Sequence, residues 1–146
     1  MDQVKIDNFI RENPESTFPK YIVLSDEECT DIRSSFFERL GLDASADGMT
    51  LVNEVDKRSE ICEEFNCNEN YFDLKEVIAS LGITCPEYVF INWYRYDDID
   101  KMLFSDLAGY FDDIWYADVD DIDVFDKTNT WLLSLSHYGQ VKILKL

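Results

Sequence analysis

The sequence predicts a single α+β domain in which N-terminal helices pack on a C-terminal antiparallel sheet. Three observations carry this. Capped helical patterns dominate the first half, β-branched and aromatic runs accumulate in the second, and the last two runs are joined by a turn that suits only a hairpin. The 146 residues fit one domain. No internal repeat, Ser/Gly linker or low-complexity tract divides them.

The elements follow in order. Val4, Ile6, Phe9 and Ile10 are spaced for a short helix over residues 3–12, closed before Pro14. Tyr21-Ile22-Val23-Leu24, just after Pro19, is a short β-type run. Ser25 opens the clearest helix: Ser25 and Glu28 have capping-box spacing, and Asp26 and Glu27 fill the first turn. Cys29, Ile32, Phe36 and Leu40 then recur at helical spacing, and Gly41 stops the run. Residues 49–55 fit either a strand or the start of a helix running towards Phe65. Asn70 to Leu81 reads as a helix with Phe72, Leu74, Val77, Ile78 and Leu81 inward and Gly82 as its stop.

Tyr88–Tyr94, after Pro86, is a β-branched and aromatic run suited to a central strand. Ser105 is placed to cap a short helix reaching Phe111. Ile122, Val124 and Phe125 lie on a strand whose alternation sends Asp121 and Asp123 the other way. Trp131–Ser136 and Val141–Leu146 form the final hairpin, with Tyr138-Gly139 at its turn. The helices around 26–40 and 70–81 are expected on one face of the sheet.

The charge is one-sided. Asp and Glu number 31 against 13 Lys and Arg, a formal net charge of −18. A phosphate backbone requires a basic surface, so this balance argues against direct nucleic-acid binding and against anionic membranes. No run of about 20 apolar residues exists, and the N-terminus lacks the basic start and apolar stretch of a secretory signal. A cytoplasmic location with reduced thiols is the expectation. Cys29, Cys62, Cys67 and Cys85 are then free and mostly buried, Cys29 and Cys62 at apolar helical positions. With His137 the only histidine, the spacing does not match a zinc site.

Half of the net charge lies in residues 95–126, which hold eleven aspartates, no glutamate, and only Arg95 and Lys101 as cations. Tyr94, Tyr96, Tyr110, Phe111, Trp115 and Tyr116 are interleaved with them. Aromatic anchors beside fixed carboxylates suit the capture of a cationic protein, although a solvated loop face is the plainer use of any single aspartate. Sharper chemistries fit less well. A calcium loop beginning at Asp118 would need Gly at its sixth position and Glu at its twelfth, where Asp123 and Asn129 stand. Ser134, Ser136 and His137 are neighbours on one strand, whereas a catalytic constellation is assembled from separate elements. No catalytic residue, metal site or cofactor is assigned.

Three segments carry a resemblance: Phe111-Asp112-Asp113-Ile114-Trp115-Tyr116, then Asp120-Asp121-Ile122-Asp123-Val124-Phe125-Asp126, then Trp131-Leu132-Leu133-Ser134-Leu135-Ser136-His137-Tyr138-Gly139. Over residues 111–139 the chain resembles small acidic immunity proteins of polymorphic and contact-dependent toxin systems. The resemblance implies a non-enzymatic protein that neutralises a basic toxin domain, often a nuclease, by blocking its cleft. The alternatives are an acidic nucleic-acid mimic or adaptor for an endogenous basic protein, and a small acidic hydrolase. The expected partner surface comprises Asp112, Asp113, Trp115, Tyr116, Asp118, Asp120, Asp121 and Asp123, largely exposed. Charge reversal at Asp121 and Asp123 is expected to spare folding.

Overall fold

The computed structural model describes residues 1–43 and 45–146. Ser25 caps a helix as its spacing predicts: its hydroxyl accepts from the Glu28 N–H, and the Glu28 side chain returns to the Ser25 N–H at 2.8 Å. That helix, α2 (Asp26–Leu40), ends at Gly41 with φ +65°, a conformation glycine adopts without strain. Before it lie α1 (Gln3–Glu12) and β1 (Tyr21–Val23). After it comes α3 (Gly48–Arg58), capped by Asp47 and buried through Leu51 and Val55, one turn apart. Residues 49–55 are therefore helical, but the helix stops at Ser59, and Glu60–Asn66 is strand β2. Cys62 thus lies on a strand, not a helix.

The remaining elements are α4 (Leu74–Ser80), β3 (Tyr88–Tyr94), β4 (Asp98–Leu103), α5 (Phe104–Gly109), α6 (Phe111–Ile114), β5 (Ile122–Phe125), β6 (Trp131–Leu135) and β7 (Gln140–Lys145). Ser105 lies inside α5 and does not cap it. All seven strands form one antiparallel sheet in the order β1-β4-β3-β5-β6-β7-β2. The final hairpin is present, Leu133 facing Ile143, with Gly139 at φ +95° in its turn. The architecture is α+β, with helices mostly early and strands mostly late. Among the described residues no helix is long and apolar enough to cross a membrane.

The helices do not share one face. Strand alternation sends Val89, Ile91, Val124, Leu133 and Val141 to one side, where they meet Leu74, Val77 and Ile78 of α4 and the apolar residues of α5 and α6. Phe125, Leu132 and Leu144 point to the other, against Phe36, Phe37 and Leu40 of α2 and Leu51 and Val55 of α3. The helices at 26–40 and 74–80 are therefore on opposite faces. The physical reason is that the central strands carry large apolar residues at both odd and even positions, so both faces need cover.

Candidate binding surface

The acidic stretch does not form one open patch. Asp112 is exposed on α6, and Asp113 is half-buried, its carboxyl raised by burial and by the neighbouring Glu12 and Asp112. Trp115 is buried, its ring stacked on Phe111 at 5.3 Å and its indole N–H donating to the Asp120 carbonyl at 3.0 Å. Tyr116 is half-buried under the Lys5 ammonium, 4.0 Å from its ring centroid. Asp120 forms an ion pair with that same lysine and accepts from the Tyr116 N–H at 2.7 Å. Thus Trp115, Tyr116 and Asp120 do not border an open acidic surface. A lysine from α1, 115 residues away in sequence, closes the site.

Asp123 also departs from the expectation of exposure. Its Oδ1 accepts from the Ser134 hydroxyl at 2.6 Å, and its Oδ2 from the Asn92 amide at 3.0 Å. Burial raises its carboxyl above the ordinary aspartate value, against the pull of those hydrogen bonds. Asn92 is itself buried and accepts from the Tyr96 N–H at 2.8 Å. Alternation does direct Asp123 away from Ile122 and Val124, but on that face the side chain is half-buried beside α3 and held by Asn92 and Ser134 rather than open to water. Asp123→Lys would break this network, so charge reversal there costs folding stability, contrary to what strand alternation alone implies.

Asp118 and Asp121 remain exposed. Asp118 has φ +64°, and its N–H donates to the His137 carbonyl at 2.8 Å. Asp121 accepts through Oδ1 from the His137 N–H and contacts the ring Nδ1, both at 2.9 Å. The turn at 116–120 is thereby fixed against the β6–β7 turn. Beside it stand exposed apolar groups outside the expected partner surface: Tyr94, one of the aromatics interleaved with the aspartates, and Val119 and Tyr138, at 56%, 71% and 59% exposure. Tyr138 sits next to the turn glycine, the one signal that could have identified it.

Two recesses meet here. Cross-strand neighbours Asn92, Asp123, Ser134 and Lys142 form a polar row over β3, β5, β6 and β7. They line a cleft of about 390 Å³ against α3, where Lys142 pairs with Asp56 at 2.6 Å. Tyr94 and Asp121 line this cleft and also the second recess, which includes Lys5, Asp98 and Val119. The tight turn after Tyr94 places Arg95 and Tyr96 at φ +48° and +63°, conformations that L side chains adopt at a cost. The Tyr96 N–H bond to Asn92 and the buried Tyr96 ring hold that turn. Gly48 meets it from α3: a Cβ there would lie 2.4 Å from the Arg95 carbonyl oxygen.

Ser134, Ser136 and His137 have separate partners: the Asp123 carboxylate, the Gln140 backbone and the Asp121 carboxylate. Asp120, Asp121 and Asp123 likewise turn to three different partners. Among the described residues no three His, Cys, Asp or Glu side chains converge as a metal would require. Cys29, Cys62 and Cys67 are buried free thiols and Cys85 is exposed. Compared with known protein families, curated proteins and solved structures, the chain matches none of them.

Proposed function

We propose that this chain is an immunity protein that binds and neutralises a cationic toxin domain, a nuclease by preference, in the cytoplasm of the producing cell. The observation that supports this reading is the exposed Tyr94, Val119 and Tyr138 set among Asp98, Asp118 and Asp121 on a chain of net charge −18. A nuclease is basic where it grips nucleic acid. Carboxylates placed there substitute for phosphates, and exposed aromatics supply the desolvated anchors on which interface affinity concentrates. Long-range attraction raises association rates by about 10–10³-fold, which suits a cell that must intercept its own toxin.

Asp112 and Asp113 add to the field from α6 and are assigned to steering. Trp115, Tyr116, Asp120 and Asp123 are assigned to supporting the surface from within. The test pairs the chain with the toxin domain encoded immediately upstream of its gene. Co-expression should restore growth, and pull-down should recover a complex that weakens as salt rises. Failure of the wild-type chain to rescue growth or to bind would overturn the reading.

A further inference from the structure

The end of the molecule that carries the two recesses repeats one internal arrangement, a cation over an aromatic ring. Lys5 lies 4.0 Å and 5.2 Å from the ring centroids of Tyr116 and Trp93 while pairing with Asp120. Arg95 holds its guanidinium 4.7 Å from the Tyr94 ring centroid. The cleft offers the same ingredients facing solvent. Tyr94 and Tyr138 line it as exposed rings, and Asp121 lines it as an exposed carboxylate whose Oδ2 takes no hydrogen bond among the described residues.

The cleft's own cations are already engaged. Lys142 is paired with Asp56, and Arg95 lies over Tyr94, one face of a ring that has two. The walls are held in place: Asn92, Asp123 and Ser134 are bonded across three strands, and Gly48 brings α3 into close contact with the Arg95 backbone. Such preorganisation lowers the ordering cost of binding.

We propose that this cleft receives an arginine side chain of the basic partner, with its guanidinium on Asp121 and against the rings of Tyr94 and Tyr138. The inference rests on the immunity reading and names the group that this surface takes. Arginine fits better than lysine because a planar guanidinium can stack on a ring while it donates in-plane to a carboxylate.

The test is an NMR titration of the full isotope-labelled chain with a capped arginine-rich hexapeptide, alongside lysine and citrulline counterparts. Saturable shifts are expected at Tyr94, Asp121, Ser134 and Tyr138, with weaker binding of the lysine peptide and none of the citrulline peptide. Asp121→Asn and Tyr138→Ala should each weaken arginine-peptide binding about tenfold, the loss of roughly one strong charged or cation–π contact. Glu15→Gln, on an exposed side chain outside both recesses, should change it less than about twofold, as a screened surface charge would. Asp121→Asn and Tyr138→Ala fall on exposed side chains, and the spectrum of each free variant reports its folding directly. Shifts confined to Asp112 and Asp113 or to the Glu60–Glu64 edge, or equal binding of the lysine or citrulline peptide, would overturn the proposal. Toxin rescue unaffected by combined Asp121→Asn and Tyr138→Ala would sink the pocket and leave the immunity reading standing. Peptide binding in the cleft without wild-type rescue would do the reverse.

Discussion

Asp121 and Asp123 are two residues apart, and the fold uses them in opposite ways. Asp121 is exposed and fastens one turn to another through His137. Asp123 lies within the sheet, bonded by Asn92 and Ser134 on neighbouring strands. The same division runs through the rest of the acidic stretch: Asp100 and Asp120 are drawn inward, whereas Asp112 and Asp118 face water. Asp100 is fully buried, accepting from the N-terminal amine at 2.5 Å and the Trp93 indole at 2.8 Å. The local excess of aspartate therefore serves two purposes. Part of it holds strands and α1 together, and only the remainder is available to a partner.

Breaking the inward set should affect folding most. Lys5→Met leaves Asp120 charged and confined without its ammonium, and removing one member of a buried pair costs about 3–5 kcal/mol. Urea denaturation should register that loss, and adding Asp120→Asn should recover part of it. Full stability in Lys5→Met would mean that the pair contributes nothing to anchoring α1. Asp123→Ala comes next, since it strands the buried Asn92 amide at about 1–3 kcal/mol, while the half-buried Ser134 hydroxyl can turn to water in the cleft.

The pH dependence sharpens the same point. Burial raises the folded-state pKa of Asp123 above the ordinary 3.8, so the folded chain keeps this proton where the unfolded chain has released it. The stability that it contributes is present below 3.8 and is lost as pH rises through the raised folded value. Asp123→Asn does not titrate. It should therefore destabilise more at about pH 4 than at about pH 7, measured as the difference in unfolding free energy from wild type. An equal difference at both pH values would place Asp123 in a solvated setting.

Gly48→Ala probes the contact that shapes the cleft. Its Cβ would meet the Arg95 carbonyl oxygen at 2.4 Å, and because that atom is backbone the helix or the turn must shift. Overpacking of this kind costs about 1–3 kcal/mol, and the variant should bind the toxin less tightly than its stability alone explains. The smallest effect on folding belongs to the outward set. Asp118→Asn and Asp121→Asn should each stay within about 0.5 kcal/mol of wild type, while Asp121→Asn slows toxin association and flattens its salt dependence in stopped-flow measurements. A large loss of stability at Asp121 would make it a structural residue like Asp123.

Some strands were hidden by their composition. β4 runs Asp98-Ile99-Asp100-Lys101-Met102-Leu103, and aspartate disfavours strands. The turn before it places Arg95 and Tyr96 at positive φ where a sequence reader looks for Asn or Gly. β2 was masked by Glu60, Glu63 and Glu64, charges that suit a sheet edge because they discourage further pairing. α2 and the final hairpin were legible because a capping box, a terminal glycine and a turn glycine act within a few residues of one another.

The sequence by itself determined the α+β class, the best capped helix, the late hairpin and the surplus of negative charge, because propensity, capping and composition are local properties. Only the tertiary structure decided which aspartates face water and which aromatics stand beside them. Lys5 reaches Asp120 across 115 residues, and Asn92 reaches Asp123 across 31. Burial of a carboxylate depends on what the rest of the chain brings to it, and strand alternation specifies a face without saying what covers that face.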